Sequence, residues 1–185
     1  MVNKRELLLK SADELIHAQG FQSTTLADIA RHSKVPLGNI YYYFKTKADI
    51  GNAVIQLRES KLQDLLKQLD QLETPKARLK AMTETIIANK KDIVKYGCPI
   101  ASLSQEAGKI EDSMIKKADS ILRLLVDWAI KQFKEMGFRQ NARMKGIQFV
   151  SHIEGMTVVA QALKDPVVLD CQVKALKIWL DDIKN

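Results

Sequence analysis

The chain has 185 residues, of which 46% are hydrophobic, so it can bury one core or form a small domain attached to a larger one. Its net charge of +7 favours nucleic acid or an acidic surface as a partner. The sequence contains no run of 18 apolar residues and begins with a polar segment, which predicts a cytoplasmic protein without a membrane span or signal peptide.

The number and spacing of reactive side chains argue against an enzyme. Two cysteines are too few for a disulfide framework, and together with the three histidines they lack the spacing of metal ligands. The glycines never cluster into a phosphate loop or a dinucleotide-binding motif. His152 and Glu154 are the only ionisable pair on an apolar helical face, and no nucleophile accompanies them. We therefore expect no catalytic residues, no metal and no cofactor.

Helix start and stop signals divide the first fifty residues into short helices. Asn3 opens a capping-box pattern, and Gly20 marks the end of this first helix. Thr25, with an acidic residue three positions later, opens a second helix. Pro36 then opens a third helix, at a position where its missing N–H costs nothing. Two short helices joined by such a turn, the second basic and aromatic, predict a helix-turn-helix with its recognition helix.

Residues 36–47, PLGNIYYYFKTK, form a segment suited to a negatively charged partner, with three of the four tyrosines. No Asp or Glu occurs over residues 29–48, whereas four Lys or Arg residues do. Successive helical residues are rotated by about 100°, so tyrosines 41–43 cannot all face one core, and at least one hydroxyl must point outward. A fourth helix capped by Thr46 would place Lys47 beside exposed N–H groups, and both attract an anion.

About the first 55 residues strongly resemble the DNA-binding domain of TetR-family transcriptional regulators. The matching positions are Gly20, Phe21, Thr24, Thr25, Ile29, Ala30, Val35, Gly38, Ile40, Tyr41, Tyr42, Phe44, Lys45 and Lys47. The resemblance implies a ligand-responsive repressor that binds a palindromic operator in double-stranded DNA as a homodimer. It also implies a helix-turn-helix DNA-binding domain over residues 1–47 and a helical ligand-binding and dimerisation domain over residues 48–185.

The resemblance also implies roles for individual residues of the DNA-binding domain. The residues that would face base edges are Leu37, Gly38, Asn39 and Tyr41. The residues that would hold phosphates are Thr25, Tyr42, Tyr43 and Lys47. The residues that would form the core are Phe21, Ile29, Val35, Ile40 and Phe44.

Two residues depart from the family pattern at the entry to the recognition helix. Lys34 stands where the family usually has a glycine, which adopts a left-handed turn conformation without steric cost. Pro36 replaces the usual serine cap. Neither change removes an expected phosphate contact, but both imply a slightly different path into the helix. The family pattern therefore does not predict the operator sequence.

In the rest of the chain, the positions of proline and glycine predict an all-α protein. All four prolines stand where helices would begin, and Gly97 and Gly137 stand where helices would end. We expect a long fourth helix over residues 47–72, joining the DNA-binding head to a helical body, and another helix over residues 75–96. No strand-like alternation interrupts these patterns, and about nine helices are expected in all.

The last two predicted helices, over about 141–164 and 166–184, carry more apolar surface than one core needs. In the TetR family such helices pair with their symmetry mates as a four-helix bundle, and this chain looks similar. A dimer would also hold two recognition helices about one turn of DNA apart, roughly 34 Å. Gly146 and Gly155 would permit close helix approach at this interface.

The family resemblance further implies a small-molecule effector in the helical body, which would move the fourth helix and change the distance between the two heads. Apolar spacing selects the pocket candidates Met82, Ile86, Leu103, Leu125, Trp128 and Met156. Core packing explains each of them equally well. The chemistry of the effector is not indicated by the sequence.

Cys98 supports an alternative function, a thiol-based sensor of oxidants or electrophiles on the same scaffold. It stands at the cap of the next helix, whose dipole would stabilise a thiolate. The surrounding segment GCPIASLSQEA resembles a stretch of one branch of the family, some members of which sense electrophiles through a cysteine. A small buried cap residue is the competing interpretation. The remaining alternative is a helical protein-interaction module without affinity for duplex DNA.

Overall fold

The structure, a computed structural model, describes residues 3–107 and 118–184 and confirms an all-α fold. The described residues form ten helices: α1 Lys4–Gln19, α2 Leu26–Ser33, α3 Leu37–Tyr43, α4 Lys47–Leu69, α5 Pro75–Ala88, α6 Lys90–Tyr96, α7 Pro99–Ala107, α8 Ala118–Glu135, α9 Ala142–Leu163 and α10 Val167–Asp182. Among them, none has the length and apolar character needed to cross a membrane.

The chain divides into two compact units. The first comprises Met1–Ser60 with Pro99–Ile121, and the second comprises Lys61–Cys98 with Leu122–Asn185. The first unit therefore contains the three short helices of the head, the first part of α4 and all of α7. The functional division expected at residue 47 stays a prediction.

Helix caps form where the sequence predicts them in the first unit. The Asn3 side chain accepts a hydrogen bond from the backbone N–H of Arg5, and α1 ends at Gly20, whose φ of 85° suits a residue without a Cβ. At α2, Thr25 and Asp28 form a complete capping box. The second cap fixes where the helix-turn-helix begins.

The turn between α2 and α3 accommodates both departures from the family pattern. Lys34 adopts the left-handed conformation, with φ 58° and ψ 24°, and closes α2 as a glycine would. Pro36 is the N-cap of α3 rather than its first helical residue, and no side-chain hydrogen bond caps this helix. Packing must therefore hold the start of α3, because its local cap is weak.

Burial of apolar residues holds the head together. All five residues expected to form its core are buried, which confirms that prediction. Ile40, the α3 residue that points inward, is completely buried, and so is Leu8 of α1. Since α3 has only seven residues, this packing is what stabilises its helical form.

In the second unit, the single helix expected over residues 75–96 is two helices, α5 and α6. The break lies at Asn89, whose side-chain amide donates to the carbonyl oxygen of Thr85 at 2.7 Å. The backbone N–H of Asn89 donates to the same carbonyl. Asparagine competes with the helix through such local bonds, and α6 turns away to pack on α9.

Gly146 packs within its own chain, so the expectation that it serves a dimer interface is wrong. A Cβ on Gly146 would lie 2.5 Å from Cγ1 and 2.8 Å from the backbone N of Ile130 in α8. The absent side chain lets α9 approach the α8 backbone. Gly155, by contrast, is exposed, and among the described residues no atom beyond its chain neighbours and the surrounding turns of its own helix backbone lies within 4 Å of its Cβ position.

Glu154 of α9 is a largely buried carboxyl group. Its Oε1 accepts a hydrogen bond from the thiol of Cys98, with 3.4 Å between sulfur and oxygen. Its Oε2 is buried without a hydrogen-bond partner among the described residues. Burial raises the pKa of this carboxyl above its ordinary value, and the bond from Cys98 opposes the shift.

We predict that Gly146→Ala lowers the free energy of unfolding by about 1–3 kcal/mol, because the added methyl group meets backbone atoms that cannot rotate away. Gly155→Ala is the matched control on the same helix, and at protein concentrations low enough to keep the chain monomeric it should not destabilise the fold, since alanine favours helix over glycine. Denaturant unfolding of both variants measures the difference. Equal destabilisation would show that α8 and α9 are not in close contact at Gly146.

We predict that Glu154 makes the free energy of unfolding fall as the pH rises from 4.5, the ordinary pKa of this carboxyl, to a value above its raised pKa in the folded protein. The folded state retains a proton that the unfolded chain has already released, so deprotonation favours unfolding. Glu154→Gln should lose this decline, whereas Glu73→Gln, at an exposed position, should retain it. Denaturant unfolding at both pH values tests this. An unchanged decline in Glu154→Gln would contradict the assignment.

Candidate nucleic-acid interface

The outer face of α3 carries the residues expected to read bases. Leu37 and Tyr41 are 41% and 48% exposed, which is unusual for large apolar and aromatic side chains in a short helix. Gly38 is exposed, and apart from its chain neighbours and the local helix backbone no described atom lies within 4 Å of its Cβ position. Asn39 is half-buried. Leu37, Gly38 and Tyr41 therefore form an accessible surface of α3, beside the buried Ile40, and Asn39 lies next to it.

The tyrosines diverge as the helical spacing predicts. Tyr42 is 78% exposed, which confirms that at least one ring points outward. Tyr43 is half-buried, and its ring meets that of Tyr42 edge to face with 5.0 Å between centroids. This contact orients an exposed phenol whose hydroxyl can donate to a phosphate oxygen.

Thr25 is exposed but already engaged at the start of α2. Its hydroxyl donates to Oδ2 of Asp28 at 2.6 Å and accepts from the backbone N–H of Asp28 at 3.1 Å. The bonds from Thr25, followed by the charge of Arg31, lower the pKa of Asp28. A phosphate at this helix end would have to share the Thr25 hydroxyl with a carboxylate.

Lys47 is the first residue of α4 and lies against the turn between α1 and α2. Its ammonium group donates to the carbonyl oxygen of Gln22 at 2.8 Å and lies 4.7 Å from the centre of the Phe21 ring. Burial lowers the pKa of Lys47, while the charge of Glu106 opposes this shift. The lysine is thus held near the surface rather than extended freely into solvent.

Other basic side chains surround this surface. Arg31, Lys34 and Lys45 are exposed on the head. The ammonium group of Lys45 donates to the carbonyl oxygen of Tyr41 at 2.8 Å, so it lies beside the outer face of α3. These cations, all from the acid-free segment, give the face a positive potential that attracts phosphates.

Glu106 contacts the head in a way that sequence reasoning missed. Its two carboxylate oxygens accept the backbone N–H groups of Phe21 and Gln22, each at 2.7 Å. The partners lie 85 and 84 positions apart in the chain. No periodicity or cap pattern could have paired them, because the contact exists only once α7 has packed on α1.

The six pocket candidates are all buried, and they are divided between the two units. Leu103 belongs to the first unit, whereas Met82, Ile86, Leu125, Trp128 and Met156 belong to the second. The indole N–H of Trp128 donates to Oδ1 of Asp70 at 2.8 Å, so this group is engaged within the protein. The pocket stays a prediction.

Cys98 is half-buried and immediately precedes α7. The first turn of that helix favours a thiolate. Glu154, which accepts the hydrogen bond of the thiol, opposes the loss of its proton whenever the carboxyl is charged. Because these effects act in opposite directions, sensing through Cys98 stays an alternative prediction.

Sequence comparisons agree with this geometry. Residues 8–54 match the family model described as bacterial regulatory proteins, tetR family. An uncharacterized HTH-type transcriptional regulator from the lacX 3′ region of Lactococcus lactis is 26% identical over 98% of this chain and 95% of its own. The transcriptional regulator AcuR of Cereibacter sphaeroides is 32% identical, over 57% of this chain and 49% of its own.

Solved structures show the same fold over the full length of the described architecture. A TetR transcriptional regulator from Legionella pneumophila superposes with a TM-score of 0.87 at 21% identity, covering 100% of this chain and 99% of its own. Residues 8–54, which match the family model, contain the helix-turn-helix and its exposed recognition helix. From the family match and the shared fold, we conclude that residues 8–54 form a DNA-binding domain of the tetR family of bacterial regulatory proteins and that the whole chain has the fold of such regulators.

Proposed function

We propose that the protein is a ligand-responsive, cytoplasmic repressor that binds a palindromic operator as a homodimer. The observation that carries the proposal is the outer face of α3, where Leu37, Gly38 and Tyr41 are exposed although most large apolar residues of the head are buried. Such a face has the dimensions of a helix that enters the major groove of DNA. Its positive surroundings supply the attraction to phosphates.

The phosphate contacts proposed at Thr25, Tyr42, Tyr43 and Lys47 flank this face. Tyr42 and Thr25 are exposed, while Tyr43 and Lys47 are half-buried. Half-buried donors lose less side-chain freedom on binding than free ones, and their position fixes the register of the recognition helix on the duplex. Base contacts would then set the sequence preference.

Exposed apolar residues on α9 and α10 support the homodimer. Seven large hydrophobic side chains are exposed there: Met144, Ile147, Val158, Val159, Leu163, Val167 and Ile178. Met144, Ile147 and Val158 recur at intervals that keep them on one side of α9. Gly155 belongs to the same side and would let a partner helix approach closely. A patch of this kind favours association with a second copy.

The effector is proposed to bind in the second unit and to act by shifting populations. A ligand can change operator affinity only through a difference in its own affinity for the two head spacings. A shift of 5–150-fold in operator affinity corresponds to a coupling free energy of about 1–3 kcal/mol, the usual range. The buried residues Met82, Ile86, Leu125, Trp128 and Met156 are the first positions to vary in a search for it.

The first test is selection of duplexes from a random pool near 0.15 M salt, where binding driven by phosphates alone is weak. Enrichment of a palindrome is the expected result. No enrichment by a folded, dimeric protein would contradict the proposal and favour a protein-interaction module. On the selected duplex, Lys47→Ala should weaken binding about equally for all sequences and lower the salt slope by about one, whereas Asn39→Ala should change sequence preference.

Lys134→Ala provides the control for these two variants, because Lys134 is exposed on α8 in the second unit. Its affinity and salt slope should match those of the parent protein. If Lys47→Ala and Asn39→Ala also bound like the parent, the proposed contacts would be wrong.

For the dimer, we predict that Val158→Lys weakens self-association at least tenfold, because each interface would bury two unpaired charges. Leu72→Lys is the matched control, since Leu72 is an exposed apolar residue outside α9 and α10. Sedimentation equilibrium at several concentrations measures both variants, and thermal unfolding confirms that each is folded. A Val158→Lys protein as dimeric as the parent would move the interface away from this face of α9.

A further inference from the structure

The turn between α1 and α2 is held by a carboxylate from a distant helix. Glu106 of α7 accepts the N–H groups of two successive residues, Phe21 and Gln22, at 2.7 Å each. Hydrogen bonds to a charged acceptor at this distance are about twice as strong as neutral ones. Two adjacent backbone donors converging on one carboxylate form the kind of concavity that binds anions in proteins.

Gly20 makes this arrangement possible. Its φ of 85° turns the chain so that the two following N–H groups point in the same direction. A Cβ on Gly20 would lie 3.0 Å and 3.2 Å from the two carboxylate oxygens of Glu106. The turn and the carboxylate are therefore closely fitted, and a side chain at this position would force them apart.

The same turn carries Lys47. The backbone N–H of Gln22 donates to Glu106, and the backbone carbonyl of Gln22 accepts a hydrogen bond from the ammonium group of Lys47. The carboxylate and the ammonium group are therefore both bonded to the backbone of one residue. The Phe21 ring, which follows Gly20, lies under the same ammonium group. The position of Lys47 thus depends on the peptide groups that Glu106 holds.

The opposite end of α7 is attached to the head as well. Arg58 of α4 is 5% exposed and donates from Nε to Oδ1 of Asp13 in α1 at 2.7 Å. It also donates to the backbone carbonyl of Pro99, the first residue of α7. The helix is therefore fixed to α1 and α4 at its start and to the α1–α2 turn near its end. This explains why α7 belongs to the same compact unit as the head.

We propose that Glu106 is a positioning residue for DNA binding: its carboxylate holds the α1–α2 turn in the conformation that presents Thr25 and Lys47 to phosphates. This inference rests on the proposed function. Glu106 does not itself contact DNA, because a carboxylate would repel phosphates. It acts through the backbone of Phe21 and Gln22, in the same turn that leads to Thr25, the N-cap of α2.

A positioning role and simple electrostatics predict opposite changes in operator affinity when Glu106 loses its charge. Replacing Glu106 with glutamine removes a negative charge from the DNA-binding unit, so charge alone predicts tighter binding. Glutamine has a single acceptor oxygen, and its NH₂ group would face a backbone N–H, so one of the two bonds is lost. Positioning therefore predicts weaker binding despite the more favourable charge.

The experiment measures operator affinity and its salt dependence for Glu106→Gln in the full-length protein, using the selected duplex. We expect affinity to fall roughly tenfold, the size expected for one lost hydrogen bond to a charged group. We also expect the salt slope to fall by about one, as it would for loss of the Lys47 contact. In the Lys47→Ala background, the same change should have less than a threefold effect, because the residue being positioned is gone.

Glu59→Gln is the control, since it makes the same charge change in the same unit from α4. It should leave affinity unchanged or raise it slightly. If Glu106→Gln behaves like this control, or binds more tightly than the parent, the positioning role is refuted while the proposed function stands. If the parent protein selects no duplex at all, the proposed function fails first, and the two failures are thereby distinguished.

A second variant covers the possibility that Glu106→Gln does not fold. Glu106→Asp keeps the negative charge but shortens the side chain by one methylene group. The electrostatic effect is therefore retained, whereas the carboxylate can no longer reach the N–H groups of Phe21 and Gln22. Positioning predicts weaker operator binding for this variant too. Amide hydrogen exchange of the unaltered protein adds an independent readout: the Phe21 and Gln22 amides should exchange more slowly than the Ser23 amide. Equal exchange would refute the contact itself.

Discussion

Burial of Ile40 is the constraint on which the proposed DNA-binding face depends. A helix of seven residues with a proline at its N-cap and no side-chain cap is not stable by itself, so α3 exists because its inner face is packed. Packing one face of a helix determines which residues lie on the other. The exposed Leu37, Gly38 and Tyr41 are therefore a consequence of the core, and the reading surface is only as rigid as the residues beneath it.

A second level of control comes from outside the helix-turn-helix. Caps at Thr25 and Thr46 fix the starts of α2 and α4, but the turn that precedes α2 is held by Glu106 of α7. Arg58 attaches the start of the same helix to α1 and α4. The DNA-binding surface thus belongs to a unit that includes part of the segment beyond residue 99. Hydrogen-bonded polar contacts of this kind restrict a small core to one packing arrangement, which hydrophobic burial alone does less strictly.

Local features were predictable because their causes are local. The caps of α1 and α2 follow from spacing along a few residues, whereas the five core positions of the head were implied by the family resemblance. The left-handed turn at Lys34 occurs although lysine is not the usual residue there. The break at Asn89 and the burial of Gly146 were not foreseen. Each depends on a neighbouring helix, α9 or α8, that periodicity does not identify.

By itself, the sequence determined an all-helical chain with a basic, aromatic helix-turn-helix at its start, since charge, caps and hydrophobic periodicity act over one or two helical turns. Only the tertiary structure decided that Gly146 lets α9 approach α8, that Glu154 accepts a hydrogen bond from Cys98, and that Glu106 binds the backbone of a turn 84 residues away. The physical reason is that a side chain finds such partners through the packing of whole helices, and this packing depends on the summed shape of many residues rather than on any short pattern.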